Sequence, residues 1–597
     1  MVKWKRTALL PQQRNKIPKN NNILQNTSPL QVVIFIFTFI FIVCNYAAFQ
    51  WLTNHHSKNS HIHMSPASLM SLQVGKEINL NTKRNADYQE INNKSRIATL
   101  SCAQYGGPID PSEMVYWEDI DIDAKFISPF HKQHFKQSED HKRTTDQQYL
   151  TFEPDRAGFN NIRMGVETVV ALAHAMGKTL VIPPDRVIWS MENAENNQKN
   201  AFSFEEILHF DSIKIEHPGL NIISMEEFLR EVAIKGEAFK GKVKLMDGAN
   251  NSSNATLEPE VMQTLFPPNN RTNWDGQDLE PLWEYLRTIG LVREWDPEEC
   301  VALIPSSRED SDMEELLQTF NNIVEEKNGR PFPKISNYNG KPVPVDSPPE
   351  ERLREMLGGR TKACPYDKEM QEVKLLHFME DWERNVRFLT HFYAFLFFQD
   401  WKQDLWTKRF IRDHVHFNDE IVCAAARVVQ AVRDRAKKRN PETNPNGDFD
   451  TIHVRRNDWA TQYPEYVVSP DELFIATEPE LTPGRTVYIA TDEQDRDYFR
   501  PMANAYDIVY LDDFKNELGD LNTNFYVFVD QLVAARGKVF FGVFHSTFTG
   551  YINRLRGYYS VKEKRDGYQD GIIESYHYAG QKEKNYYRSY RAFSVPA

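Results

Sequence analysis

Two arginines follow a short apolar run that predicts a strand, in the segment His453-Val454-Arg455-Arg456-Asn457-Asp458. A guanidinium group stays charged and presents a planar fork of N–H donors that matches the oxygens of a phosphate or a carboxylate. Two such side chains at a strand end could grip a diphosphate. The spacing equally allows an ion pair between an arginine and Asp458, so both interpretations stay open.

A second candidate for anion binding is the segment Phe544–Gly550, which reads FHSTFTG and precedes a predicted helix. Ser546 and Thr547 place hydroxyl groups where the first N–H groups of that helix have no partner within the helix. The positive end of the helix dipole favours a negatively charged group at this position. The same residue types also cap helices, and the two roles are compatible.

Acidic side chains form a third candidate group. Asp492 and Glu493 follow the run YIAT, and Asp530 lies on a predicted helix. A carboxylate suits the N1–H and N2–H donors of guanine, but it equally pairs with an arginine or caps a helix. Two DxD strings, Asp119–Asp123 and Asp448–Asp450, resemble ligands for a divalent cation. The first lies in a polar region and the second precedes a strand, so we expect neither to bind a metal.

The elements that would position these residues alternate between strands and helices after residue 447. The predicted strands are DTIHVRR, TVYIATDE, DIVYLDD and KVFFGV, and helices are predicted near Pro470–Thr477, Arg496–Asn504 and Phe525–Arg536. This alternation indicates an α/β fold with a parallel sheet covered on both faces, which binds ligands at the carboxyl ends of its strands. The segments HVRR, TDE and FHST all fall at that edge.

The chain before this sheet predicts a second folded region. Ile162–Leu180 has apolar residues at helical spacing and Gly177 as its stop, and the run LVIPP predicts a strand after it. Residues 373–438 predict several helices, including the core segment Phe392–Phe398 and the amphipathic helix Asp419–Ala436. The segment KKRNPETNPNGD predicts a linker between the two regions.

Residues 30–52 predict a membrane span. The run Val32–Phe49 has no charged residue, and as a helix it would span about 27 Å, close to a bilayer core. Residues 1–29 carry six basic residues and no acid, which favours a cytosolic tail. A cleaved signal peptide fits less well, because the charged region and the apolar run are too long. We expect a type II signal anchor, a stem over residues 53–145 and a body in the lumen of the Golgi or the endoplasmic reticulum.

Other features agree with a folded lumenal body. The chain is 41% hydrophobic and 26% charged, which is typical of globular proteins. Its net charge of −13 argues against nucleic acid as a partner. Four cysteines after the anchor can form two disulfides in any of three pairings: Cys102, Cys300, Cys364 and Cys423. Five glycosylation sequons occur after the anchor, at Asn93, Asn250, Asn251, Asn254 and Asn270.

Four segments together resemble the GDP-fucose protein O-fucosyltransferases and their O-fucosyltransferase-like relatives. They are HVRRND, YIATDE, FVDQLVAARGKVFFGVFHSTFTGYINRLRGY and, in the first region, AGFNNIRMGVETVVALAHAMGKTLVIPP. The resemblance implies a GT-B architecture, with two Rossmann-like lobes over residues 146–440 and 447–597 and the donor in a cleft between them. It also implies an inverting transfer of fucose from GDP-fucose to a hydroxyl of a protein or glycan, with no essential metal and no separate cofactor.

The resemblance further implies roles for individual residues. Arg455 would hold the β-phosphate and assist the departure of GDP. Guanine would be read by Asp530, with Asp492 as a second candidate. The remaining residues implied in donor binding lie in three of the quoted segments: Gly158, Phe159, Asn160, Arg163, His453, Asp458, Ser546, Thr547 and Phe548.

The residue before the Gly-Phe-Asn block departs from the pattern of some family members. Those members carry a glutamate there that acts as general base, whereas this chain has Ala157. Glu153 and Asp155 are close in sequence and could take that role. Alternatively the leaving group drives the reaction without a strong base, or activity is lost. A transferase that uses another nucleotide sugar, such as a rhamnosyltransferase, and an inactive membrane-tethered binding protein are therefore the alternatives.

Overall fold

The structure is a computed structural model that describes residues 100, 102–117, 126–131, 147–188, 201–210, 213, 219–234, 279–326, 343–565, 572–578 and 586–590. The predicted cytosolic tail, the membrane span, the five sequons and the first DxD string lie outside these residues. Within the described ranges, no helix is both long enough and apolar enough to cross a membrane.

The described part of the chain is an α/β structure. Its strands are β1 Tyr149–Phe152, β2 Thr179–Ile182, β3 Arg186–Val187, β4 Ala201–Phe202, β5 Ile222–Ser224, β6 Leu291–Arg293, β7 Cys300–Ile304, β8 Lys362–Pro365, β9 Leu375–Phe378, β10 Leu396–Phe398, β11 Asp450–Val454, β12 Thr486–Thr491, β13 Asp507–Val509, β14 Phe540–Val543, β15 Ile572–Tyr578 and β16 Tyr586–Tyr590. Its α-helices are α1 Phe159–Ala175, α2 Phe204–Ile207, α3 Met225–Phe228, α4 Glu280–Ile289, α5 Asp310–Glu325, α6 Pro349–Leu357, α7 Lys368–Glu372, α8 Phe392–Phe395, α9 Trp401–His414, α10 Asp419–Arg439, α11 Trp459–Gln462, α12 Pro470–Thr477, α13 Arg500–Ala503, α14 Lys515–Leu518, α15 Tyr526–Ala535 and α16 Thr547–Glu563. Short 3₁₀ helices span Ser112–Met114, Pro464–Tyr466, Arg496–Phe499, Leu511–Phe514 and Thr523–Phe525, and a π-helix spans Leu229–Ile234.

The first large sheet is parallel, with strand order β5-β2-β1-β9-β6. Its central strands, β1 and β9, are apolar runs that are buried at every position, as a sheet covered on both faces requires. A separate parallel sheet has the order β10-β7-β8. Strands β9 and β10 correct part of the sequence prediction, because residues 373–438 were expected to form helices alone.

The second large sheet has the order β13-β12-β11-β14-β15-β16, and only β16 is antiparallel to its neighbour. The four predicted strands of this region are confirmed, and they follow one another along the chain as predicted. Along β11, Ile452 and Val454 join one hydrophobic core. The alternate residues Thr451 and His453 hydrogen-bond to α15 and α16 on the other face. This alternation places His453, and Arg455 two residues later, on the side of α15 and α16.

Helices α1, α10, α15 and α16 join the two large sheets through one continuous hydrophobic core. Helix α10 packs against α15 and β12, although the sequence assigned it to the first lobe. Helix α1 packs against α16. Its Gly177 has a φ of +63°, which fits the predicted stop, and a Cβ there would lie 2.5 Å from the backbone of His131.

Residues 102–117 also belong to the folded body, although they fall in the range predicted as a stem. Met114, Tyr116 and Trp117 are almost fully buried in the main core. A disulfide joins Cys102 to Cys423 on α10, and a second joins Cys300 to Cys364. The structure thus selects one of the three pairings that the sequence allowed.

Candidate functional site

Arg455 follows the last residue of β11 and is held by Asp458. Its Nε and Nη2 atoms donate hydrogen bonds to the two carboxylate oxygens of Asp458, each at 3.0 Å. The ion pair that the sequence left open therefore forms. About a quarter of each side chain, 24% and 23%, stays exposed. An arginine fixed in this way has lost its rotamer freedom before any ligand binds, which favours phosphate binding at that place.

Asp492 positions the turn that carries this arginine. It follows β12, which pairs with β11, and its carboxylate accepts hydrogen bonds from the N–H groups of Arg456 at 2.8 Å and Asn457 at 3.3 Å. Burial raises the pKa of Asp492. Arg456 turns elsewhere: it pairs with Glu493 at 2.7 Å and lies over the ring of Tyr498. Of the two arginines, Arg455 is thus the better phosphate ligand.

His453 connects the same strand to α16. Its Nδ1 shares a hydrogen bond of 2.8 Å with Thr549 Oγ1, and its ring lies 4.5 Å from that of Phe548. Burial, with Arg455 nearby, lowers the pKa of His453 to about 3, so the ring is neutral at physiological pH. Gly542 lies opposite on β14, where a Cβ would sit 2.4 Å from the Thr549 side chain. The absence of a side chain at Gly542 therefore lets the first turn of α16 approach the sheet.

The amino terminus of α16 follows β14 directly. Ser546 is its N-cap residue, but within the described residues its side chain makes no capping hydrogen bond. Ser546 and Thr547 are partly exposed. The preceding residue, His545, has a φ of +64° and shares a hydrogen bond of 3.0 Å with the hydroxyl of Tyr466. The first N–H groups of α16 and these two hydroxyls form a suitable cradle for an anion.

Asp530 lies on α15, where it accepts a hydrogen bond of 2.5 Å from the hydroxyl of Tyr488. Burial, together with the negative charge of Asp512, raises the pKa of Asp530 to about 7, against the effects of Tyr488 and Arg496. The adjacent Gln531 was not singled out by the sequence. Its side-chain amide donates to Asn160 Oδ1 at 3.1 Å and to the carbonyl oxygen of Phe548 at 3.2 Å, which links α1 to α16. The signal for Gln531 was its place beside Asp530 in the segment FVDQL.

The Gly-Phe-Asn block begins α1, with Gly158 as the N-cap residue. Phe159 is buried and packs on Phe528 of α15, with 4.7 Å between ring centroids. Asn160 meets Gln531, as described above. The block thus adjoins α15 and, through Gln531, the first turn of α16.

Arg163 is fully buried between α1 and α16. It pairs with Glu167, and its guanidinium carbon lies 3.3 Å from the ring centroid of Tyr551. Arg554 of α16 pairs with the same carboxylate at 2.8 Å. Although burial alone would raise it, the two arginines lower the pKa of Glu167 to about 2. The donor role implied for Arg163 stays a prediction, and its observed partner is this ion triad.

Glu153 and Asp155, the two acids near Ala157, are both engaged by arginines. Glu153 accepts two hydrogen bonds of 2.7 Å from Arg287 and lies 3.0 Å from His377 Nε2. Burial alone would raise its pKa, but these partners lower it. Asp155 accepts a hydrogen bond of 2.7 Å from Arg387 and one of 2.6 Å from the N–H of Ala157.

A third acid, Glu380, joins this group. It follows β9, and its side chain is only 7% exposed. Burial and the negative charge of Asp155 raise the pKa of Glu380 to about 8, although Arg387, Arg186 and Arg156 oppose this shift. Sequence reasoning missed Glu380, yet it follows the run LLHFM, much as Asp492 follows YIAT.

Both acids of the second DxD string make structural contacts. Asp450 is fully buried and accepts a hydrogen bond of 3.1 Å from the N–H of Val539. Asp448 lies 3.6 Å from the ammonium group of Lys538. In the part of the chain that the structure describes, no cluster of three or more His, Cys, Asp or Glu side chains is arranged to hold a metal ion.

Parallel sheets whose carboxyl edges carry a fixed arginine, a helix amino terminus and several carboxyl groups are typical of α/β proteins that bind ligands at these edges. A family model described as GDP-fucose protein O-fucosyltransferase matches residues 149–559. The chain therefore belongs to this family, and it is a glycosyltransferase. The donor in the family's name, GDP-fucose, is a substrate and not a resident cofactor.

Three similar solved structures share little sequence identity with the chain. POFUT1 in complex with GDP-fucose is 13% identical, over 69% of this chain and 96% of that chain, with a TM-score of 0.29. The NodZ α-1,6-fucosyltransferase co-crystallised with GDP is 13% identical, over 69% and 93%, with a TM-score of 0.27. The fucosyltransferase NodZ from Bradyrhizobium is 12% identical, over 69% and 94%, with a TM-score of 0.29. No curated protein sequence matches the chain significantly.

Proposed function

We propose that this glycosyltransferase moves fucose from GDP-fucose to a hydroxyl group of a protein or glycan, with inversion at the sugar carbon and without an essential metal. One observation carries the proposal. Arg455, held by Asp458 at the end of β11, and the uncapped amino terminus of α16 follow adjacent strands of one sheet. They supply positive charge and N–H donors at a single edge, where a departing diphosphate needs them.

The chemistry follows from the charge of the leaving group. When the bond between the sugar carbon and the β-phosphate oxygen breaks, its electron pair stays on GDP. Arg455 and the first N–H groups of α16 stabilise that developing charge, which is the role a divalent cation serves in metal-dependent transferases. Attack by the acceptor oxygen from the opposite face inverts the configuration.

Three further features support a donor site between two Rossmann-like lobes of a GT-B fold. The lobes span about residues 146–440 and 447–597. Asp530 offers a carboxyl group for the N–H donors of guanine. Gln531 holds Asn160, and with it the Gly-Phe-Asn block, close to the carbonyl oxygen of Phe548. His453 holds Thr549 in the first turn of α16.

We also propose that the body works in the lumen of the Golgi or the endoplasmic reticulum, behind a single type II anchor at residues 30–52. Two disulfides support this location, because such bonds persist in oxidising compartments. The uncharged run Val32–Phe49 and its basic flank support the anchor.

A donor panel tests the proposal with the full-length protein. Thermal stabilisation and hydrolysis are measured with GDP-fucose, GDP-mannose and UDP-rhamnose, each with and without EDTA, and the anomer of the released sugar is read by NMR. We expect stabilisation by GDP-fucose and slow release of the inverted sugar, insensitive to EDTA. A preference for UDP-rhamnose would favour the rhamnosyltransferase alternative, and loss of hydrolysis in EDTA would contradict metal independence.

A further inference from the structure

We propose that Glu380 is the catalytic base that takes the proton of the acceptor hydroxyl. In some family members this task falls to a glutamate at the position of Ala157. The inference rests on the proposed function, since it assigns a residue to the acceptor side of the same transfer.

The topology brings Glu380 to the position of Ala157. Strands β1 and β9 are neighbours at the centre of the first sheet, and Phe152 pairs with Phe378 in register. Asp155 and Glu380 therefore leave the sheet at the same edge. Asp155 accepts a hydrogen bond of 2.6 Å from the N–H of Ala157. Asp155 and Glu380 therefore lie near the residue that stands at the position of the family's base.

The contacts of Glu380 leave its carboxyl group suited to a substrate hydroxyl. Only 7% of its side chain is exposed, and its Oε1 atom has no hydrogen-bond partner among the described residues. The nearest cation, Arg387 Nε, lies 3.6 Å from that oxygen and donates instead to Asp155 at 2.7 Å. A buried oxygen without a hydrogen bond is costly, and an acceptor hydroxyl would supply the missing donor.

The electrostatic surroundings distinguish Glu380 from Glu153. Burial and Asp155 raise the pKa of Glu380 to about 8, so its carboxylate, once ionised, accepts a proton readily near neutral pH. The positive charges of Arg186, Arg156 and Arg387 oppose this increase in the pKa of Glu380, so the group can still ionise. Glu153 has the opposite character, because the hydrogen bonds from His377 and Arg287 lower its pKa. A carboxylate held in that way is a weak base.

The surface beside Glu380 offers a place for an acceptor. Trp382 is 49% exposed, although large aromatic side chains are usually buried. The guanidinium carbon of Arg387 lies 3.8 Å from the centroid of its ring, which fixes the ring next to the acid pair. An exposed, fixed aromatic ring suits the apolar face of a sugar or a peptide side chain.

The step balances as a displacement. The O–H bond of the acceptor breaks and its proton passes to Glu380. The acceptor oxygen forms a bond to the sugar carbon, while the bond from that carbon to the β-phosphate oxygen breaks and its electron pair leaves with GDP. Glu380 later returns the proton to solvent.

The test compares Glu380→Gln with Glu383→Gln, an exposed glutamate in the same loop, in the full-length protein. GDP-fucose hydrolysis, transfer to immobilised glycoproteins and glycans, and the affinity for GDP are measured from pH 6 to 9. For Glu380→Gln we expect a loss of kcat of about 10² to 10⁴-fold with GDP affinity unchanged. The wild type and Glu383→Gln should gain kcat/KM as pH rises from 7 to 9, because a carboxyl with a pKa of about 8 is half ionised at pH 8 and mostly ionised only by pH 9. The residual activity of Glu380→Gln should lack that rise, and Glu380→Asp should restore part of it.

Two results would overturn the inference while leaving the proposed function intact. One is an unchanged kcat or an unchanged pH profile in Glu380→Gln. The other is a parallel loss of GDP affinity and activity, which would indicate a structural role. A wild-type protein that neither binds nor turns over GDP-fucose would instead contradict the proposed function, and the inference with it.

Discussion

The carboxyl edges of the two large sheets carry opposite chemistry. At the second sheet, the edge presents Arg455 and the amino terminus of α16, which are groups for a negatively charged ligand. At the first sheet, the edge presents Glu153, Asp155 and Glu380, each set against arginines. The same supersecondary pattern thus presents an arginine and a helix amino terminus at one edge and a group of carboxyl side chains at the other.

Departure of a diphosphate needs fixed positive charge, whereas activation of a hydroxyl needs a carboxyl group with a high proton affinity. The proposed transfer would draw these two functions from different sheets. Each edge also carries charge of the other sign, because Asp458 holds Arg455 and Arg387 lies 3.6 Å from Glu380.

The largest expected effect comes from removing the cation at the second edge. Arg455→Ala should lower fucosyl transfer by about 10³-fold, because the leaving group loses its main stabilising charge. The matched control is Arg500→Ala, which removes an exposed arginine whose partner Asp497 is also exposed. Steady-state kinetics with GDP-fucose measure both variants. Normal turnover by Arg455→Ala would show that the second edge does not serve the phosphate.

The next effect tests whether Glu153 is structural. Glu153→Gln leaves Arg287 without its buried ionic partner and should destabilise the protein by about 3 kcal/mol. Because the fold lowers the pKa of Glu153, this contribution is present at neutral pH and is lost as pH falls through that pKa. Thermal unfolding from pH 3 to 7 measures the difference. Glu369→Gln, which breaks an exposed pair with Arg293, should cost less than about 1 kcal/mol. A stable Glu153→Gln with a flattened pH–activity profile would make Glu153 the base instead.

A smaller effect should appear in the pH dependence of GDP binding. The pKa of Asp530 is raised to about 7, so its carboxyl becomes protonated, and a poorer acceptor for guanine, as pH falls below that value. Calorimetry should show the affinity for GDP falling about tenfold from pH 8 to pH 6. Asp530→Asn should bind weakly at both pH values, and the exposed Asp520→Asn should behave like the wild type. A pH-independent wild type would remove Asp530 from guanine recognition.

The smallest effect contrasts two serines at helix termini. Ser546 makes no capping hydrogen bond, so Ser546→Ala should leave stability unchanged and weaken GDP binding a few-fold. Ser469 caps α12 through the N–H of Glu472 at 3.3 Å, so Ser469→Ala should cost about 1 kcal/mol and leave GDP binding unchanged. Thermal unfolding and calorimetry on both variants separate the two roles. Equal stability losses would identify Ser546 as an ordinary cap.

Local pattern was enough to predict four of the six strands of the second sheet, but not β15 and β16. Its first four strands are β-branched or aromatic runs bounded by polar residues, and α12 has the predicted bounds Pro470–Thr477. The first sheet was harder, because none of the three residues of β6 is fully buried and β9 lies in a region whose pattern otherwise predicts helices. The burial of Cys102 and of Met114–Trp117 was not predictable either, since it depends on contacts with α10 and α16, far along the chain.

The site also contains residues that local pattern reveals and residues that depend on tertiary packing. Arg455, His453 and Ser546 are recognisable because their roles follow from the strand or helix end that each occupies. Gln531 and Gly542 matter through the elements opposite them, which only the tertiary structure brings together. Glu380 was missed because β9, the strand that precedes it, was not predicted.

The triad of Arg163, Glu167 and Arg554 has a consequence for motion. Moving α1 away from α16 would leave Arg554 buried and unpaired and would deprive Glu167 of one of its two arginines, at a cost of several kcal/mol. Glu167 thus ties α1 to α16, and these two helices should move as one unit in any slow movement of the protein.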